Sequence, residues 1–157
     1  MSEERVTVRR RIHAPAARLF ALVTDPHSHV AIDGSGMLMA APDAVVATAV
    51  GDSFVMNMDR EPLGDIPIGK YQVRNTVTKY EADHVFEWTI GAVDQPPLGH
   101  VYGYVLTPAG PDDTDVEHYC DWTDFDPVMK ARVKAWPVVP VHMLERTLEK
   151  LDALAVG

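Results

Sequence analysis

Val141-His142-Met143-Leu144-Glu145-Arg146-Thr147-Leu148-Glu149-Lys150-Leu151-Asp152-Ala153-Leu154-Ala155-Val156 is the stretch whose reading decides the fold. Val141, Leu144, Leu148, Leu151 and Ala155 recur at helical spacing, with Glu145, Arg146, Glu149 and Asp152 on the opposite side. The segment is therefore an amphipathic helix made to lie on an apolar surface. Pro137 and Pro140 stand just before it. A proline inside a helix removes a backbone hydrogen bond and clashes with the preceding turn. The long helix is expected to begin only after Pro140, with Pro127 to Trp136 as a separate short helical lead-in.

Working back from that helix, the chain reads as six consecutive strands: Val45 to Val50, Ser53 to Met58, Lys70 to Tyr80, His84 to Ile90, His100 to Thr107 and Thr114 to Thr123. Gly, Pro, Asp and Glu punctuate them, which is the pattern of antiparallel neighbours. Two connections are longer and carry apolar residues: Asp59 to Gly69, and Gly91 to Gly99 with Pro96, Pro97 and Leu98. Loops of that kind often cover a pocket mouth.

Nearer the start, Arg5 to Ile12 alternates as an edge-type strand with Val6, Val8, Arg10 and Ile12 on one face. Ala14 to Val23 changes to helical period, with Pro15 in its first turn and Asp25-Pro26 at its end. His27 to Asp33 reads as a second short helix, and Gly34-Ser35-Gly36 as a flexible break. The order predicts an α+β domain spanning residues 1–157, in which a curved antiparallel sheet of about seven strands surrounds a long C-terminal helix. A sheet of that width curls, and one helix does not fill the trough. The residual space is a natural cavity.

Composition narrows the partners. The 157 residues are 46% hydrophobic with a formal charge of -9, so no basic patch is available for nucleic acid. The acidic Met1-Ser2-Glu3-Glu4-Arg5 start lacks the apolar core of an export signal, which makes the cytoplasm the expected location. No apolar run approaches the roughly 18 residues of a membrane span. Cys120, the single cysteine, rules out an intramolecular disulfide and a multi-cysteine zinc site. His27, His29 and Asp33 suggest a metal at first sight, but His27 and His29 fall on different sides of a helix and read as a solvated loop. No phosphate-binding glycine loop, nucleophile elbow or metalloprotease helix is present, so no cofactor or metal is expected. The sequence leaves the oligomeric state open.

Strand parity gathers the candidate site. Alternation turns Val116, His118, Cys120 and Trp122 inward, because the other set carries Glu117 and Asp121. Tyr119 then faces outward, against its hydrophobicity. Tyr102, Tyr104 and Leu106 share a face on the preceding strand. Phe86, Trp88 and Ile90 do so on the next, followed by Tyr71, Val73, Asn75 and Val77, then by Phe54, Met56 and Met58. Met143, Leu144 and Leu148 of the last helix face this wall, and His142 points to the cavity rim or to water. One at a time, the aromatic and Met positions suit core packing; as a set, apolar walls with a few polar tips describe a small-molecule site. His118 reads either as a buried histidine satisfied by one hydrogen bond or as a proton-transfer group. Asn75 and the Tyr104 hydroxyl would polarise a ligand carbonyl or simply satisfy neighbours.

Several stretches carry a family resemblance. Ile12 to Phe20, Thr24-Asp25-Pro26, Val77 to Tyr80, Val85 to Thr89, Gly103 to Pro108 and Val116 to Trp122 resemble, in order, the polyketide cyclase/dehydrase branch of the START-like (SRPBCC, Bet v 1-like) superfamily. The resemblance implies a helix-grip fold with a ligand cavity between sheet and helix. It leaves three functions open: a binder or carrier of an apolar lipid-like, aromatic or polyketide-like molecule; a cyclase, aromatase or dehydratase using His118, Tyr104 or Asn75; and a protein-interaction module without a ligand.

Overall fold

A computed structural model describes residues 4–61, 69–132, 136–137 and 139–156. In chain order the elements are β1 (Arg5–Ile12), α1 (Ala16–Val23), α2 (Pro26–Ile32), β2 (Leu38–Ala40), β3 (Ser53–Asp59), β4 (Lys70–Glu81), β5 (Val85–Ala92), β6 (Val101–Pro108), β7 (Thr114–Asp121), α3 (Pro127–Arg132) and α4 (Val141–Val156). The strands form one antiparallel seven-stranded sheet in the order β1-β7-β6-β5-β4-β3-β2. This is the α+β helix grip, with α4 lying on the inner face beside β1 and β7 and packed on α1 and α2. α4 starts at Val141, directly after Pro140. The proposed lead-in is helical over Pro127–Arg132; residues 133–135 lie outside the described residues, as do 62–68 of the first long loop.

The strand expected at Val45–Val50 is not one. The edge position beside β3 is taken instead by the three-residue β2, paired with β3 at Leu38 and Met58. The Asp52 carboxylate accepts the backbone N–H groups of Thr48 and Ala49, the donors that a strand ladder would have used. Val45 is left 79% exposed. Gly34-Ser35-Gly36 is likewise more than a flexible break: Gly34 is pinned on α4, its N–H donating to Thr147 Oγ1 at 3.0 Å. A side chain at Gly34 would collide with the Met143 carbonyl.

A bulge between Val77 and Lys79 shifts the β4–β5 register, so parity changes midway along β4. Before it Val73, Asn75 and Val77 are buried. After it Tyr80 turns inward and meets Phe20 and Phe86 edge-on. On the outer face, Tyr119 points away from α4 as parity requires, yet it is only 2% exposed. It lies over Gly103, where a Cβ would overlap its ring, donates its hydroxyl to Glu87 at 2.6 Å, and is capped by the Arg5 guanidinium 3.8 Å from the ring centre. Thr78 and Lys79 complete the ring around Glu87. An outward aromatic is thus kept dry by a glycine beneath it and an arginine above.

Candidate functional site

The inner face carries two apolar clusters. The larger joins the α1 stripe, Leu144, Leu148 and Leu151 of α4, and the β5–β7 inner residues. The smaller joins Met37, Ala41, Phe54, Met56, Met58 and Val73. Ile90 and Val139 border both, and where the clusters part there is a cavity of about 270 Å³. That is near the lower end of the roughly 300–1,000 Å³ of small-molecule sites. It is also nearly twice the roughly 150 Å³ that accommodates a benzene ring.

Of the side chains gathered by parity, Met56, Met58, Tyr71, Val73, Asn75, Trp88, Tyr102, Tyr104, His118 and Leu144 border this cavity. Phe54, Phe86, Cys120, Trp122 and Leu148 belong to the packed clusters instead. Met143 is half-buried on α4, beside the exposed His142. Leu98, from the second long loop, also borders the cavity and is tied to β5 by its N–H to the Ile90 carbonyl.

Sequence reasoning passed over several other residues that border the cavity, among them His29, His100 and Arg60. The expectation of a solvated loop fails for His29. Asp25 caps α2 by accepting the His27 N–H, which turns His29 toward the sheet, where its ring tilts on Trp88 at 4.8 Å. His27 stays exposed, near the Ala44 carbonyl, and Asp33 accepts from Ser35 and Leu38. The apolar neighbours of α2 at one-turn spacing were the only signal for His29, and His100 had none beyond its position at a strand end.

The cavity histidines are held neutral. His29 donates Nε2–H to the Val23 carbonyl at 2.6 Å; His118 donates Nδ1–H to the Gly103 carbonyl at 3.0 Å. Each pairing selects one tautomer and leaves the other ring nitrogen as the acceptor. Desolvation lowers all three, with His100 and His118 pushed down to about 4, because a charged ring loses its hydration there. Burial likewise raises the Tyr102 and Tyr104 hydroxyls above the ordinary phenol value. Burial pushes the Cys120 thiol up to about 12, against the lowering effect of its hydrogen bond with Tyr102. At neutral pH none of these groups is charged. Apart from Arg60 and Asp33, which also border the cavity, the wall is an aromatic and thioether surface with uncharged hydrogen-bonding tips.

The architecture can be set beside known proteins. Protein CV1439 of Chromobacterium violaceum superposes with a TM-score of 0.66 at 12% identity, over 98% of this chain and 99% of that one. Norcoclaurine synthase of Thalictrum flavum, solved in complex with dopamine and hydroxybenzaldehyde, superposes with a TM-score of 0.62 at 14% identity, over 97% and 86%. The chain has the START-like, Bet v 1-like fold. No protein-family model matches it. In sequence it is 30% identical over 118 residues to the uncharacterised protein Rv0088 of Mycobacterium tuberculosis, covering 75% of this chain and 47% of that protein. The match thus spans about half the length of the curated relative. Among the described residues, no helix is long and apolar enough to cross a membrane.

Proposed function

We propose that the protein binds or carries an apolar small molecule, lipid-like, aromatic or polyketide-like, between the sheet and α4. The observation that supports this reading best is the cavity of about 270 Å³ walled by Trp88, Tyr102, Tyr104, Met56, Met58 and Leu144. A close-packed interior leaves few voids larger than a water molecule, and an apolar space of this size is an invitation to an apolar guest. Burial removes that guest from water at roughly 25 cal/mol per Å².

A cyclase or dehydratase acting in the same cavity needs a base. His118 is positioned for that role by its tautomer, but a ring pushed down to about 4 abstracts protons poorly at neutral pH, since catalytic bases work best with a pKa near the operating pH. The binding reading requires no such group. Native mass spectrometry of the protein as purified from cells, followed by a thermal-shift screen of fatty acids, flavonoids and polyketide mimics, tests it. The expected result is a retained small molecule or a concentration-dependent rise in unfolding temperature, because a ligand of the native state must stabilise it. No retained mass and no shift with any class would refute the reading.

A further inference from the structure

Among the described residues, two of the side chains that border the cavity bury a polar atom with no hydrogen-bond partner: Oδ1 of Asn75 and Nδ1 of His100. The residues are 4% and 6% exposed. An unpaired buried polar atom costs about 1–3 kcal/mol, so two in one wall are a stability deficit concentrated at one place.

That place is a single row of the sheet. Asn75 faces Ile90 across β4 and β5, and Thr89 faces Val101 across β5 and β6. The same register carries the row from Ile90 on to His100. With strands about 4.8 Å apart, the two backbones stand about 10 Å from each other with Ile90 between them. Several other polar groups around the cavity are already engaged. Ser35 Oγ donates to Asp33 and accepts from Met37 N–H; Thr147 Oγ1 donates to the Met143 carbonyl and accepts from Gly34. His29 and His118 each donate to a backbone carbonyl.

The chemistry of the row selects its complement. A neutral imidazole offers one donor and one acceptor, and a primary amide offers both. A hydroxyl, which donates and accepts, satisfies either tautomer of His100 and either orientation of the Asn75 amide. An ether only accepts, and a hydrocarbon does neither. Resting on the ligand-binding reading above, we propose that the row Asn75, Ile90, His100 is the polar anchor of the cavity, and that it takes a ligand of up to about two rings carrying a hydroxyl group that pairs with this row.

The test uses three probes of one skeleton, 2-naphthol, 2-methoxynaphthalene and naphthalene, titrated calorimetrically into the wild type and into Asn75→Leu, His100→Phe and the double variant. In the wild type 2-naphthol binds at least tenfold tighter than 2-methoxynaphthalene. In the double variant that preference, read as the ratio of the two affinities in the same protein, falls below threefold. The unfolding temperature of each variant stays at or above that of the wild type, because an apolar group replaces an unpaired polar one. Equal binding of all three probes by the wild type overturns the anchor and leaves the ligand-binding reading intact. No binding of any probe overturns the anchor and counts against that reading as well. A fall of several degrees in both single variants shows that the two groups are already satisfied in the folded protein, and overturns the anchor alone.

Discussion

Tyr104 lies flat against His118, the ring centres 4.3 Å apart and the planes 14° from parallel. The stack covers one face of the imidazole while the Gly103 carbonyl holds its Nδ1–H, so protonation would place a desolvated charge against an aromatic wall. Burial pushes His118, and independently His100, down to about 4 from the ordinary 6.5. Below pH 6.5 the unfolded chain takes up protons that the folded chain refuses, and stability falls until about pH 4. Each ring contributes up to about 3 kcal/mol to that loss, set against a usual total of about 5–15 kcal/mol. Urea unfolding at half-unit steps from pH 7.5 to 4.5 should show a midpoint that drops steeply below 6.5, with a shallower slope in His118→Gln. A pH-independent midpoint contradicts the assignment.

Gly103 is occupied from both sides: its carbonyl positions His118 inside the grip, and its missing side chain seats Tyr119 outside it. Gly103→Ala should cost about 2–3 kcal/mol, because the methyl group forces Tyr119 off Glu87. The same substitution in a Tyr119→Leu background should cost clearly less. A double-mutant cycle on urea midpoints measures the difference, and full additivity would show that the two sites are not coupled.

Leu144 and Leu151 sit two turns apart on α4, both buried, but only Leu144 borders the cavity. Each Leu→Ala change should destabilise by about 2–5 kcal/mol. Leu144→Ala alone should also enlarge the cavity, and three-ring aromatics that leave the wild-type unfolding temperature unmoved should raise that of the variant. A response as large from Leu151→Ala would place the cavity elsewhere.

The charged pairs joining β1 to β7 should matter little for stability. Arg9 meets Glu117 at 2.7 Å, but its side chain is 69% exposed, and exposed pairs contribute at most about 1 kcal/mol. Arg9→Ala should shift the urea midpoint by less than that, and a larger loss would mean the pair is shielded from solvent.

Much of this was legible in the sequence because it rests on local rules. The start of α4 follows from what Pro140 forbids, and the inward set on β7 follows from where Glu117 and Asp121 must go. What escaped depends on contacts between segments distant in sequence. Val45 to Val50 has the composition of a strand, and only the Asp52 side chain, by taking its backbone donors, keeps it from being one. The bulge at Thr78 moved Tyr80 to the inner face although every residue before it obeyed simple alternation. His29 and His100 border the cavity because α2 docks on Trp88 and because β6 begins where it does. Neither cause is written at the histidine itself.

The arginines of β1 have a last consequence, for solution behaviour. A sheet that does not close into a barrel exposes two borders of unpaired backbone groups, each a template onto which another chain can add. Here one border is the strand carrying Arg5, Arg9, Arg10 and Arg11, and the other is three residues long. Each of the four is paired with a carboxylate, Asp121, Glu117, Asp152 or Asp115, so a strand adding to that border meets long charged side chains instead of an apolar edge. Charged side chains on a border strand and a very short strand on the other are both among the features by which open sheets discourage such addition.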